Sequence, residues 1–234
     1  MSQIAAPDPS LSGNIKYALK ANVLPGIFLQ VLALCIGLIY FQWSAVQPVF
    51  GFIAELRAQY GLSYAIISTS IFGGLLPFCF MYIKGRIKTQ VILQLIFYCG
   101  LWAFMGALIA KFYTFQAYLF GSGNDFFTVA KKVAFDQFVF SVLITCPLLT
   151  FLYMWKNNDF SWSKTKLHID KSLLTMKIPT TILTNWLVWI PAVSVIYMMP
   201  TDLQIPLFNL VLCLFVLVLA LLHVEDDLSG EHKP

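Results

Sequence analysis

Six long apolar stretches, which together make up about half of the 234-residue chain, constrain its fold more than any other feature. A bilayer's hydrocarbon core is crossed by about 20 apolar helical residues, and every backbone polar group within it must be hydrogen-bonded inside the segment. Only one of the stretches contains an acidic residue. The sequence therefore predicts an all-α fold, a polytopic transmembrane helical bundle of about six spans, with the lipid bilayer as a partner. The predicted spans are residues 24–41, 62–83, 91–110, 133–155, 178–199 and 206–223.

The rest of the chain predicts two short flanking segments around this bundle of residues 24–223. Residues 1–23 form a polar N-terminal segment, and residues 224–234 form an acidic tail. The apolar fraction of 59% and the charged fraction of 11% differ from the roughly 45–50% and 25% of soluble domains. After six spans the chain leaves no room for a separate soluble catalytic domain.

Lys and Arg are distributed unevenly between the connections. Eleven lie in the N-terminal segment, the second and fourth connections and the C-terminal tail, and four lie on the other side. Because basic residues are retained on the cytoplasmic side of a membrane, we expect both termini on the cytoplasmic-equivalent side of a bacterial inner membrane or an organellar membrane. The net charge of +4 follows from this bias and requires no nucleic-acid partner. The lysine-rich fourth connection, residues 157–177, predicts an interfacial segment.

Asp136 is the acidic residue inside a predicted span, and carboxylates there are costly and often functional. Two roles are open to it. It can form an ion pair near the membrane surface with Lys132, which precedes it by one helical turn, or it can line a water-filled path. Gln137 follows it directly and adds a second polar side chain at the same level.

The fifth predicted span carries a polar stripe of Thr181, Thr184 and Asn185. The stripe either hydrogen-bonds a neighbouring helix or lines a path, and the sequence favours neither. Trp186 and Trp189 lie on one side of the same helix, and Pro191 removes a backbone donor and bends it. With Asp136 and Gln137, these six residues are the candidate pore or packing residues.

Signals of catalysis and of cofactor binding are missing from the sequence. No Walker loop, G-x-S-x-G or H-E-x-x-H motif occurs. The five cysteines each lie in a different predicted span, without CxxC or Cys/His spacing, which indicates buried apolar thiols rather than a zinc or haem site. We therefore expect no catalytic residues, no metal and no other cofactor, and a protein that is not an enzyme.

Two elements of the sequence carry a resemblance to a known family. The segment Asn185–Pro191 reads NWLVWIP, and Lys131 and Lys132 are followed at a short distance by Asp136 and Gln137. These elements resemble those of the twenty-two-kilodalton peroxisomal membrane protein family, which includes the Mpv-seventeen and Sym-one proteins. The resemblance covers roughly residues 62–222. It implies a membrane pore for small solutes.

The chain departs from the family pattern at specific positions. Ile190 stands between Trp189 and Pro191, where the family has Trp followed directly by Pro. The arginine that the family carries after its next proline is absent after Pro200. We therefore expect a divergent member, with a bacterial origin as one alternative.

The sequence leaves several functions open. The first is a small-solute or ion channel, which the resemblance implies and the polar residues of the spans favour. The second is a non-conducting structural or scaffolding membrane protein. A secondary transporter is less favoured, because ion-coupled carriers usually need more buried carboxylates than one. The sequence also leaves open a homo-oligomer.

Overall fold

A computed structural model describes the backbone of residues 11–230 and most of their side chains. The described chain contains helices, turns and short connections and no strand, which confirms the all-α fold class. Its α-helices are α1 Leu11–Gln42, α2 Gln47–Thr69, α3 Leu76–Ile83, α4 Val91–Phe120, α5 Phe126–Phe135, α6 Cys146–Asn157, α7 Trp162–Thr165, α8 Ile178–Met198 and α9 Thr201–Gly230. Three π-helical segments, Ser70–Leu75, Asp136–Thr145 and Leu173–Lys177, and two 3₁₀ turns, Ser44–Val46 and Lys166–His168, join them.

Six helical stretches of the described chain are long and apolar enough to cross a membrane. The predicted number of spans is confirmed, and the chain is a multi-pass integral membrane protein. Large apolar side chains such as Leu38, Ile67 and Leu143 remain exposed along these stretches, as surfaces covered by lipid would be. The spans are Asn22–Gln42, Ser44–Ile83, Val91–Phe120, Phe126–Asn157, Leu173–Met198 and Thr201–Val218.

The helices are longer than the apolar stretches that predicted them. α1 begins at Leu11, within the predicted polar segment, and α9 continues to Gly230, within the predicted acidic tail. Polar residues lower the local hydropathy near a helix end without interrupting its backbone hydrogen bonds. Hydropathy therefore marks the part of a helix that suits the membrane, and not the ends of the helix.

The largest difference lies before the second predicted span, where residues 47–60 form the first part of α2 rather than a connection. Glu55 and Arg57 lower the local hydropathy, so this part of the helix does not stand out as an apolar stretch in the sequence. At Gly61 the backbone leaves the helical conformation, with φ 50° and ψ −124°, a region that glycine adopts without steric cost. The second stretch is therefore a long helix with a kink at Gly61.

Prolines account for the three π-helical segments. Each segment ends two residues before a proline, at Pro77, Pro147 and Pro179. A proline inside a helix lacks the N–H that would bond the carbonyl four residues earlier, and its ring collides with that carbonyl. In each segment the residue before the proline donates instead to the carbonyl five residues earlier, as Cys146 does to Ser141. The wider turn moves the clashing carbonyl away and shifts the helical register.

The chain divides into two compact units, which are described separately. The first unit contains Val133–Pro191 and the described residues up to Ile27, and includes the predicted site residues. The second contains Phe28–Lys132 and the described residues from Ala192 onward. In the second unit α2 packs against α4 and α9, and the π-helical segment Ser70–Leu75 packs against both α4 and α9. Met105 is among the side chains buried there.

The cysteines only partly follow the prediction of buried thiols. Cys146 and Cys213 are buried, and Cys99 is half-buried. Cys35 and Cys79 are exposed, so the prediction is wrong for these two. In a membrane span an exposed side chain faces lipid rather than water, so a weakly polar thiol need not be covered by protein.

Candidate functional site

The fourth span, Phe126–Asn157, buries Asp136 and Gln137 at the start of its π-helical segment. Asp136 is 6% exposed and Gln137 is 2% exposed. A carboxyl and an amide removed from solvent need hydrogen-bond partners, because an unpaired buried polar group costs about 1–3 kcal/mol. The partners come from the same segment and from α8.

Gln137 connects the two helices. Its Nε2 donates to Asp136 Oδ1 at 3.2 Å, and its Oε1 accepts from Asn185 Nδ2 at 3.1 Å. Its main-chain carbonyl accepts from Trp186 Nε1 at 2.8 Å. Both ends of the amide and the backbone of this residue are therefore used, and two of the three bonds cross from the fourth span to the fifth.

Ser141 completes the group on the fourth span. Its hydroxyl lies 3.5 Å from Asp136 Oδ1 and donates to it. Asp136 Oδ1 therefore has donors from two side chains of its own segment. We call Asp136, Gln137, Ser141, Asn185 and Trp186 the Asp136 cluster. Ser141 was absent from the predicted set, because a serine five residues after an aspartate meets it only where the helix is wound more widely than an α-helix.

Trp186 holds the fourth and fifth spans together through its indole ring as well as through its N–H. The indole packs edge-on against Phe138, with ring centroids 5.0 Å apart and an interplanar angle of 67°. An aromatic pair in this arrangement contributes about 0.5–1.5 kcal/mol beyond its buried area. The indole of Trp186 therefore packs against the fourth span.

The remaining predicted residues of the fifth span lie outside the hydrogen bonds of the cluster. Thr181 accepts from Thr150 Oγ1 at 3.2 Å, which links α8 to α6. Thr184 donates to the carbonyl of Thr180, within its own helix. Trp189 is half-buried, and Pro191 lies inside α8, which stays helical around it. The polar stripe thus hydrogen-bonds neighbouring helices at Thr181 and Asn185, but not at Thr184.

The chemistry of the Asp136 cluster is that of a carboxylate surrounded by amide and hydroxyl groups. Oxygens of these kinds suit hard cations and hydrated solutes, and the same hydrogen bonds also hold two helices together. Lys132, one turn before Asp136, is buried as well, at 2% exposure. The predicted ion pair between Lys132 and Asp136 remains a prediction.

A second polar network lies in the second unit. Thr69 Oγ1 donates to Asn209 Oδ1 at 2.8 Å, and Asn209 Nδ2 donates to Ser68 Oγ at 2.8 Å. Ser68 in turn donates to the carbonyl of Tyr64 at 2.6 Å. Sequence reasoning did not select Asn209, although an amide within the apolar sixth stretch was a usable signal. Each side chain of this network has its partners, so the network joins α2 to α9 as a packing element.

Among the residues that the structure describes, no group of three or more His, Cys, Asp or Glu side chains could hold a metal ion. Comparison with known proteins adds no family to this picture: no family model, no curated protein and no solved structure matches the chain.

Proposed function

We propose that this protein is a channel for small solutes or ions, with the Asp136 cluster at a narrow point of its path. The observation that supports the proposal is a buried carboxylate held by amide and hydroxyl groups inside a membrane span. Removing a carboxylate from water is expensive, and such residues in spans commonly mark an ion or solute path. The resemblance to the twenty-two-kilodalton peroxisomal membrane protein family supports the same proposal.

The proposal includes a location and an orientation. A bacterial inner membrane or an organellar membrane would hold the protein, with both termini on the cytoplasmic-equivalent side. The excess of Lys and Arg in alternate connections supports this orientation. A homo-oligomer is compatible with it, and each chain would then contribute its own Asp136 cluster.

The test removes the negative charge of Asp136 and keeps the shape of its side chain. Asp136→Asn retains an oxygen that accepts from Gln137 and Ser141, so the cluster should stay assembled. Loss of the negative charge should lower the permeability ratio of K⁺ to Cl⁻, which is measured as a shift of the reversal potential in planar bilayers under a KCl gradient. Asp170→Asn is the matched control, because Asp170 is exposed and caps the Leu173 N–H outside the cluster.

The two outcomes against the proposal are distinct. If the wild-type protein conducts and Asp136→Asn leaves its reversal potential unchanged, Asp136 does not line the path. If purified wild-type protein conducts neither ions nor small solutes, the channel itself is wrong.

A non-conducting structural protein is the alternative, and one observation favours it. The Asn185 and Trp186 bonds to Gln137 hold the fourth and fifth spans together, which is the usual role of polar side chains between membrane helices. In that case Gln137→Leu would lower the unfolding temperature in detergent, and no variant or wild-type protein would support flux into liposomes.

A further inference from the structure

The connection between the fourth and fifth spans combines positive charge with exposed apolar side chains. We call residues 156–177, which comprise this connection and the adjoining ends of the two spans, the basic connection. It contains five lysines against two aspartates, and Lys164 is paired with Asp159 at 2.7 Å. Lys166, Lys171 and Lys177 have exposed side chains, so the connection presents a net positive charge to its surroundings.

The basic connection is folded against the end of the fourth span. Asp159 and Phe160 adopt positive φ values of 55° and 57°, which turn the chain sharply after α6. The Phe160 ring then packs on Trp155 at 5.2 Å. The Trp162 ring lies 6.1 Å from Phe151, and the Ser161 hydroxyl caps α7. These contacts hold the connection at the end of a span.

Four large apolar side chains of the basic connection remain uncovered. Trp162 is 59% exposed, Leu167 is 75%, Ile169 is 45% and Leu174 is 69%. The connection joins two candidate spans, so it lies at a membrane surface. An exposed apolar set interleaved with lysines is the composition of segments that lie in the interface, with apolar groups at the acyl boundary and ammonium groups at the headgroups.

We propose that the basic connection binds anionic phospholipid headgroups and lies in the membrane interface. The lysines select the headgroup charge, and Trp162, Leu167, Ile169 and Leu174 insert beside it. The connection before α5, together with the first turn of that helix, offers a contrast, because Phe126 and Phe127 are 78% and 74% exposed there beside Asp125 rather than beside lysines. That connection has apolar groups for the interface but no charge that selects anionic lipid. The proposal does not depend on conduction.

The first test measures lipid selectivity on the full-length protein. Thermal unfolding in detergent is followed while phosphatidylglycerol or phosphatidylcholine is added, and inorganic phosphate serves as the free-anion arm. Phosphatidylglycerol should raise the unfolding temperature at lower concentration than phosphatidylcholine, and phosphate should have little effect. Each lysine near an anionic surface contributes about 1 kcal/mol, or about fivefold in affinity.

Two matched double variants each remove two positive charges, one from inside the basic connection and the other from outside it. Lys166→Gln with Lys171→Gln should weaken the phosphatidylglycerol effect by roughly 25-fold, from the fivefold expected for each lysine. Lys111→Gln with Lys131→Gln removes two exposed lysines outside the basic connection and should leave the effect nearly unchanged. Equal losses in both double variants, or equal effects of the two lipids on the wild type, would overturn the proposal.

The second test measures how deeply the basic connection lies in the membrane of liposomes. A spin label is placed at Leu167→Cys in a chain with Cys35→Ala and Cys79→Ala, whose fold is checked by circular dichroism. The label should be more accessible to oxygen, which partitions into lipid, than to a water-soluble nickel complex, and a label at Lys166→Cys should show the reverse. A Leu167 label that prefers the nickel complex would place the connection in water and contradict the proposal.

Discussion

Gly106 of α4 lies against the backbone of α2 in the second unit. A Cβ added there would collide with the carbonyl oxygen of Ala65 and come within 2.8 Å of Thr69 Cβ. Without a hydrophobic force between helices in lipid, close backbone approach of this kind supplies much of the packing energy. The close contact joins α4 to α2.

We therefore expect Gly106→Ala to destabilise the protein by about 1–3 kcal/mol, as overpacking of a close contact does. Gly100→Ala is the matched control in the same helix, since nothing lies within 4 Å of its added Cβ. Alanine has the better helix propensity, so the control should gain about 0.5–1 kcal/mol. Denaturant unfolding in detergent measures both, and a stabilised Gly106→Ala variant would contradict the close contact.

The negative charge of Asp125 lies at the start of α5. Its carboxylate accepts the Thr128 N–H at 3.1 Å at the start of α5. Hydrogen bonds from the Thr128 side chain and backbone lower the pKa of Asp125 below its ordinary value. A carboxyl with a lowered pKa stabilises the folded helix end above the ordinary value near 3.9, and the stabilisation is lost as the pH falls through the lowered pKa.

The start of α5 should therefore loosen at acidic pH, below about 4. Hydrogen exchange at the Thr128 amide, corrected for its intrinsic pH dependence, should accelerate in the wild type over that range. Asp125→Asn keeps an acceptor oxygen but cannot titrate, so its corrected exchange should not change with pH. The same acceleration in Asp125→Asn would assign the effect to another group.

At the scale of elements, the register shift before Pro147 determines which residues meet. Gln137 pairs with Asn185 before the proline, and Thr150 pairs with Thr181 after it. Both pairs join the fourth span to the fifth. An α-helical register throughout would turn one part against the other by roughly 100°, the rotation that one residue produces, so it could not keep both pairs facing α8.

We expect Pro147→Ala to weaken one of these two pairs. The alanine regains the N–H that proline lacks, and the segment Asp136–Thr145 can return to α-helical winding. Cysteine pairs placed at 137 and 185, or at 150 and 181, report the change as the yield of oxidative cross-linking. Pro48→Ala is the control, because Pro48 is in the first turn of α2 and does not follow a π-helical segment. Undiminished cross-linking at both pairs would show that the proline does not determine the register.

The residue types were enough to predict most of the side chains that belong to the candidate site. They were not enough to predict which of these side chains pair with one another. Asp136, Gln137 and Asn185 are conspicuous because polar groups are costly in apolar stretches. Their contact depends on the wider turn that precedes Pro147, and hydropathy carries no information about that turn. Asn209 could be singled out in the same way, as an amide in the apolar sixth stretch. Its partners could not be predicted, since Ser68 and Thr69 are about 140 residues away in the chain.

For the whole molecule, the number of spans was predictable because hydropathy is summed over about 20 residues and tolerates local errors. The helix ends were not predictable, as the extension of α2 through Glu55 shows. That extension raises a specific alternative. The stretch Ser44–Ile83 is 40 residues long with a kink at Gly61, so a second crossing by residues 44–60 would give seven spans instead of six.

The six-span topology predicts that Ser2 and Ser229 lie on the same side of the membrane. A reagent that cannot cross the membrane, applied to sealed vesicles, should label Ser2→Cys, Ser229→Cys and Lys166→Cys from one side, and Ser122→Cys from the other. The unsubstituted chain gives the background from the native cysteines. The excess of Lys and Arg on one side predicts which side carries the termini.

If the part of α2 before Gly61 crosses the membrane on its own, the number of spans is odd. Ser2 and Ser229 would then be labelled from opposite sides, which would overturn the six-span topology and leave Glu55 and Arg57 inside the bilayer.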